Sequence, residues 1–322
     1  MTGKKKVLIT GGAGFIGSHL VDRLLSKGDE VICVDNFLLG KNEHLKDALK
    51  NDRFELHNFD LLEMDKLDSL FKEHNFDFVY HLAANSNIQN GYMDINVDYN
   101  NTFLSTYNIL TVMKEYDVKN IVFASSSAVY GNNKNILKEN SGPLMPISNY
   151  GAAKLASEAY ISSYCECYNL KSWIIRFPNV VGWRLTHGIV HDFVNKLKEN
   201  PNELLILGNG KQTKPYLFIS DLLNAFEKII EVDSKKVQLY NVSSDSLSNV
   251  DYIADMVINQ LSLKNVNIRY SGGEVGWIGD VSKFSYDTSK IQKLGWSSRF
   301  SSDDAIKESI KKEILFRELK VN

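Results

Sequence analysis

Short apolar runs punctuate the first half of the chain: Val7 to Thr10, Val31 to Asp35, Phe54 to Phe59, one near Phe76, and Asn120 to Ser126. Runs of this length without a polar interruption predict strands buried on both faces, and the longer stretches between them predict helices. Such alternation means a parallel sheet. Helices are expected over 14–27, 95–116 and 150–168. After a further strand at Ser172 to Phe177 the pattern loses its regularity. A helix at Val190 to Lys198 and a strand at Leu204 to Leu207 lead to the turn Gly208-Asn209-Gly210. Pro215 to Ile219 then enters a helix that Asp221 is expected to cap. The reading is an α/β protein: a Rossmann-like doubly wound parallel sheet with a smaller α/β substrate domain over the carboxyl ends of its strands. The dinucleotide domain is placed at 1–178, with segments near 213–235 returning to it, and 179–322 is mainly the substrate domain.

Composition narrows the class without naming the chemistry. With 322 residues, 43% of them apolar, the chain can bury a large core. Lys plus Arg number 37 against 39 Asp plus Glu, so no nucleic-acid footprint is expected. No apolar stretch reaches transmembrane length, and the chain enters its first strand at once, so a cytoplasmic protein without membrane attachment is expected. Cys33 falls in a core strand, and Cys165 and Cys167, at i and i+2 on one helix, point in different directions. Neither a disulfide nor a metal site is expected.

The candidate chemistry begins at Gly11-Gly-Ala-Gly-Phe-Ile-Gly17, between the first strand and the first helix. Glycines at 11, 14 and 17 allow a tight turn, backbone approach to a pyrophosphate and close helix packing. The free N–H groups at the helix start, at Phe15 and Ile16, are expected to hold phosphate. The second strand ends in Asp35, 18 residues after Gly17, where a carboxylate accepts from the adenosine ribose hydroxyls. Asp35 repels a 2′-phosphate and neither Asn36 nor Phe37 supplies an arginine to hold one, which favours NAD over NADP. Asp60, with Leu61 beside it, is an expected adenine-edge contact, although a loop-capping aspartate fits that position nearly as well.

A second constellation lies farther on. Asn120 to Ser126 runs into Ser125-Ser126-Ser127 at the carboxyl end of the sheet, where ligands bind in this class of fold. Tyr150 follows 24 residues after Ser126, and Lys154 comes one helical turn later on the same face. A phenol with an ordinary pKa of about 10 is a poor base at neutral pH, but a lysine ammonium and an oxidised nicotinamide both favour the phenolate. Ser126, Tyr150 and Lys154 are therefore the candidate catalytic residues.

Together these motifs resemble the extended short-chain dehydrogenase/reductases, in their NAD-dependent nucleotide-sugar epimerase/dehydratase branch, over nearly the whole chain. The resemblance is carried by the glycine loop, Val34-Asp-Asn-Phe37, His81-Leu-Ala-Ala84, Ser125 to Gly131, Tyr150 to Lys154, Arg176 to Gly182, and Tyr286-Asp287 with Leu294-Gly-Trp296. It implies Ala83 and Ala84 beside the nicotinamide, Ser126 as the catalytic hydroxyl, Tyr150 as acid/base, Lys154 on the nicotinamide ribose, and Asn179 against the nucleotide sugar. Ser86 and Ser127 are further expected substrate contacts, and relatives often dimerise through the two long helices, so a homodimer is expected.

Departures from neighbouring patterns discriminate among reactions. The 4,6-dehydratases carry an acidic pair or a glutamate after the catalytic hydroxyl, where this chain has Ser127 and Ala128. Fucose-synthase-like enzymes prefer NADPH, which Asp35 disfavours. A 4-epimerase acting through a transient 4-keto sugar is the expected activity, with 4-dehydrogenase or 4,6-dehydratase as the enzymatic alternatives and a catalytically silent dinucleotide sensor as the non-enzymatic one. Relatives hold the diphosphate with arginines, for which Arg184 and Lys214 are the candidates here, although lysine lacks the bidentate fork. A UDP-sugar is the expected substrate.

Overall fold

In a computed structural model, residues 3–232, 235–277 and 279–318 are described. The backbone divides into two units. The first comprises the chain up to Val129, then Asn149–Arg176 and Ile230–Tyr240; the second comprises Tyr130–Ser148, Phe177–Ile229 and the chain from Asn241 onward.

The first unit is built on a seven-stranded sheet. Its strands are β1 (Lys6–Thr10), β2 (Glu30–Asp35), β3 (Phe54–Asn58), β4 (Phe78–His81), β5 (Asn120–Ser126), β6 (Lys171–Phe177) and a last strand, Val237–Asn241. Across the sheet the order is Val237–Asn241, β6, β5, β4, β1, β2, β3, and the β3–β2, β2–β1, β1–β4 and β4–β5 pairs are parallel. Burial follows position. β1, β2, β4 and β5 are buried almost end to end, as helices on both faces require, whereas β3 sits at the edge and is only partly covered. Helix α1 (Phe15–Ser26) follows β1, and α2 (Met64–Glu73) follows β3. The core gathers Leu8, Ile32, Val79, Ile121 and Phe123 from the strands with Leu67, Phe71 and Ile109 from the helices.

The long helix expected over 95–116 is interrupted. Two short helices, α3 (Ile88–Met93) and α4 (Ile95–Asp98), precede a π-helical turn at Tyr99–Leu104, and regular helix resumes only in α5 (Ser105–Glu115). The cause is local. The Asp94 side chain caps α4 through the Asn96 N–H, and the hydroxyls of Ser105 and Thr106 both donate to the Thr102 carbonyl, competing with the helical ladder. The second long helix forms as expected, as α6 (Asn149–Tyr168).

The second unit is less regular. Asn179–Val181 pairs in parallel with Tyr216–Phe218, Glu203–Ile206 pairs in parallel with Asn267–Tyr270, and Thr213–Lys214 pairs antiparallel with Ser248–Asn249. Helices Ile189–Glu199, Ile219–Ile230, Val250–Gln260 and Ser302–Glu318 accompany these strands. Asp221 lies inside the Ile219–Ile230 helix and does not cap it; its buried carboxylate accepts the N–H groups of Arg299 and Phe300, tying a distant turn to this helix.

Candidate active site

The glycine loop leaves β1 through Gly11, whose φ of +73° lies in the left-handed region. Its N–H donates to the Val34 carbonyl of β2 (2.8 Å), so the turn is anchored across the sheet. Gly17 is the close-approach position: a Cβ there would overlap the Gly11 carbonyl oxygen and block the packing of α1 onto the loop. Gly14 is the N-cap and carries no side-chain cap. The first helical hydrogen bond runs from the Ser18 N–H to the Gly14 carbonyl, so the N–H groups of Phe15, Ile16 and Gly17 have no partner within the helix. That set of donors, at the positive end of the helix dipole, fits a pyrophosphate.

Asp35 ends β2 beside this loop. It accepts from the Ala13 N–H (2.9 Å) and the Phe37 N–H (2.8 Å) and is 7% exposed. Burial pushes its carboxyl above the usual range, and these backbone donors pull it back down. Asn36 donates to Asp60 (2.8 Å), whose carboxylate also accepts the Leu62 N–H (2.9 Å). Asp60 thus closes its own loop and joins it to the end of β2, while the carbonyl of buried Leu61 accepts from Asn108 of α5 (3.0 Å). Ala83 and Ala84 lie half-buried just past β4, the Ala83 N–H donating to the Thr10 hydroxyl (3.3 Å), and Ser86 is exposed. The dinucleotide candidates are therefore gathered at the carboxyl ends of β1, β2 and β4, and they fit NAD.

The second constellation is set by α6 lying along β5. Tyr150, Lys154 and Glu158, spaced i, i+4 and i+8, occupy one face of α6, and each meets a residue of β5. Tyr150 hydrogen-bonds with Ser126, whose Oγ accepts the Ala128 N–H (3.2 Å). Lys154 Nζ donates to the Ala124 carbonyl (2.7 Å), and Ser125 donates to Glu158 (2.5 Å). Burial pushes the Tyr150 phenol up to about 12; the Ser126 hydrogen bond opposes this and the charge of Asp98 adds to it. Lys154 is pulled down to about 7 by burial, against the charges of Glu158 and Asp98. Its ammonium lies 4.8 Å from the Phe123 ring centroid and 5.9 Å from that of Tyr150. Ser127 is half-buried in the 3₁₀ turn following β5.

Three further groups surround this face, of which Glu158 and Asp98 were not anticipated from the sequence and His81 was quoted only as part of a family motif. Glu158 is buried and held by Arg176 of β6 through two bonds, at 2.9 and 2.5 Å; its i+8 spacing from Tyr150 was the available signal. Asp98 is 1% exposed, accepts from Asn85 (2.8 Å) and leaves Oδ2 without a hydrogen bond, and burial raises its carboxyl above the usual range. Nothing in a segment rich in Asn and Asp marks it. His81 accepts or donates at both nitrogens, to Thr10 (2.7 Å) and Thr106 (2.9 Å), and Thr106 in turn meets Ser157 of α6 (3.2 Å). Burial holds His81 down to about 3, so it is neutral.

In the second unit, Asn179 is exposed at the start of its strand, opposite buried Tyr216, to which it hydrogen-bonds. Arg184 is half-buried with φ +65°. Lys214 is ion-paired with Asp280 and lies 5.2 Å from the Trp277 ring centroid. The pairing offsets the charge that phosphate contact would use.

Residues 7–243 match the NAD dependent epimerase/dehydratase family. The chain is 37% identical to the UDP-glucose 4-epimerase of Halalkalibacterium halodurans, over 94% of this chain and 93% of that one. A dTDP-D-glucose 4,6-dehydratase of Dictyostelium discoideum matches at 32%, over 79% of this chain and 62% of its own. Among solved structures, a UDP-galactose 4-epimerase superposes with a TM-score of 0.84 at 36% identity, covering 98% of this chain and 99% of that one. The UDP-glucuronic acid 4-epimerase of Bacillus cereus, in complex with UDP-glucuronic acid and NAD, superposes at 0.87 with 26% identity, over 98% and 99%.

Proposed function

The chain belongs to the NAD-dependent epimerase/dehydratase family, and from that premise we propose that it is a nucleotide-sugar 4-epimerase acting on a UDP-sugar. NAD is the cofactor of this family, held by the N–H groups of Phe15, Ile16 and Gly17 and by Asp35. When bound there, it would supply the hydride acceptor, and on the return step the hydride donor, for C4 of the sugar.

The chain's own residues handle the proton. Tyr150 takes the C4 hydroxyl proton as hydride departs and gives it back in the return step. A phenol resting near 12 does this only if positive charge is brought to it, and Lys154 is the nearby source. Burial pulls Lys154 down to about 7, so it gains or loses its proton near neutral pH, and its ammonium is not tied up in an ion pair with a carboxylate among the described residues. Ser126, hydrogen-bonded with Tyr150, donates to the reacting oxygen once substrate displaces that contact. Asn179, Arg184, Lys214, Ser86 and Ser127 are assigned to the nucleotide sugar.

The observation that carries the epimerase reading is the Tyr150–Ser126 pair followed by Ser127 and Ala128, which offer no carboxylate to remove a C5 proton. The relatives named as 4-epimerases support it. Incubating the protein and NAD with UDP-glucose and UDP-glucuronic acid should give the C4 epimer without net NADH. A 6-deoxy-4-keto product would make it a dehydratase, and stoichiometric NADH with a 4-keto sugar would make it a dehydrogenase.

A homodimer through α5 and α6 is part of the same proposal. Tyr107 of α5, Tyr160 and Tyr168 of α6 and Tyr99 of the π-helical turn before α5 stand exposed, with Phe103 of that turn packed edge-on to Tyr160 at 5.2 Å, an aromatic strip of the kind enriched at interfaces. Sedimentation at micromolar concentration should show twice the chain mass, and Tyr160→Asp should shift it toward the monomer.

A further inference from the structure

At the edge of the sheet, β3 carries Glu55 and His57 two residues apart, so both side chains leave the same face. The chain returns to them at His74, the residue that ends α2. One oxygen of Glu55 lies 2.8 Å from His57 Nε2 and the other 3.6 Å from His74 Nε2. One ligand-type atom from each of the three residues lies within 4.8 Å of the other two.

Neither Nε2 atom makes a hydrogen bond, although both are cut off from water. His74 is only 8% exposed. The approach to Glu55 is therefore close without being a donor–acceptor alignment, and buried polar atoms left in this state call for a partner. The rings are also held in place. His74 stacks on Phe76 (centroids 5.7 Å apart, planes at 28°), while His57 meets Phe59 and His74 edge-on, each at 6.3 Å.

We propose that Glu55, His57 and His74 bind a first-row divalent cation, Zn²⁺ by the character of the ligands, with the fourth position taken by water. Two imidazoles and a carboxylate form a standard zinc ligand set, and tetrahedral bonds of about 2.0–2.2 Å place neighbouring ligand atoms roughly 3.4 Å apart. The separations of 2.8 and 3.6 Å run from different oxygens of the carboxylate, and one ligand atom from each residue lies within 4.8 Å of the others, so modest side-chain movement brings the set to that spacing. Small rotations of His57, the less buried of the two rings, complete the geometry. No nucleophile or acid/base residue of the proposed mechanism belongs to this cluster, so the ion is structural: it clips the edge strand to the end of α2. No metal-ligand spacing marks it in the sequence, because the set joins an i,i+2 strand pair to a residue 17 positions beyond His57.

Tag-free protein, stripped with chelator and dialysed, is titrated with zinc chloride by calorimetry and its melting temperature followed in parallel. One ion per chain should bind, with the melting temperature rising as zinc exceeds the dissociation constant. His57→Ala and Glu55→Gln, both at partly exposed positions, should weaken binding at least about tenfold while NAD affinity stays unchanged. His74→Ala should do the same, but its burial makes the other two variants decisive. A parent protein that takes up no stoichiometric zinc would overturn the assignment. So would His57→Ala and Glu55→Gln variants that bind as tightly as the parent, since the ion would then sit elsewhere.

Discussion

Lys154 in the first unit and Lys214 in the second both withdraw their ammonium groups from water, and they are held in opposite ways. Lys154 finds a backbone carbonyl and two aromatic faces but, among the described residues, no carboxylate within ion-pair distance, and burial pulls it down to about 7. Lys214 is closed against the buried carboxylate of Asp280. The first charge is therefore adjustable by whatever enters its surroundings, while the second is already offset by a carboxylate within its own unit. A buried cation without a partner lowers stability, and a site that tolerates one has a use for it.

The largest expected effect tests that use. Tyr150→Phe should lower turnover by about 10²–10⁴ with NAD binding and folding retained, and Lys154→Met should fall in the same range. Steady-state assays of both variants check this. Full activity in Lys154→Met would mean that its unpaired charge serves nothing. The opposite lysine is probed by stability: Lys214→Met leaves the Asp280 carboxylate without its cation, the Gly276 N–H still donating to it (3.2 Å), and should cost about 3–5 kcal/mol in urea unfolding, with Asp280→Asn restoring much of the loss. If Lys214→Met is as stable as the parent, the contrast between the two lysines collapses.

Asp35 extends the comparison to a carboxylate satisfied by backbone N–H groups and by no cation among the described residues. Asp35→Ala should narrow the preference for NAD over NADP by about tenfold, in keeping with the loss of a charged hydrogen-bond acceptor; titrations with both dinucleotides measure it. Equal preference in parent and variant would show that Asp35 faces away from the ribose.

A last test is a pH slope. Lys154 has a folded value near 7 and an ordinary value of 10.5, so the unfolded chain binds more protons between them. Its contribution to stability therefore rises as pH climbs from about 7 to about 10.5, and its penalty is fully present below that window. Lys154→Met should remove this rise, which paired unfolding curves at pH 6.5 and 9.5 would reveal as a change in the difference between parent and variant.

Much of the first unit was legible because its signals are local. A run such as Val31 to Asp35 is buried throughout, and Gly11 and Gly17 sit where turn and packing geometry exclude a side chain. The i,i+4 placement of Tyr150 and Lys154 needed only the helical period. What was not legible depends on how separate segments meet. Asp98 is isolated by the interrupted helix around it, and the π-helical turn arises from hydroxyls of Ser105 and Thr106 that read as ordinary helix residues. The ion pair of Lys214 joins positions 66 apart, which no spacing rule anticipates. Asp221 shows the same limit, since a residue placed where a cap belongs serves a contact 78 positions away.

The thiol of Cys33 lies on β2 directly beneath the glycine loop, taking the Gly12 N–H, and burial with the Asp35 charge pushes it well above the ordinary thiol range. A thiol in that state does not react with an alkylating reagent unless the loop lifts. Cys167 is exposed on α6 and supplies the unprotected reference. The native chain thus carries a two-point chemical clock: the ratio of labelling rates at 33 and 167 reads how often the loop opens, and saturation with NAD should slow the first while leaving the second alone.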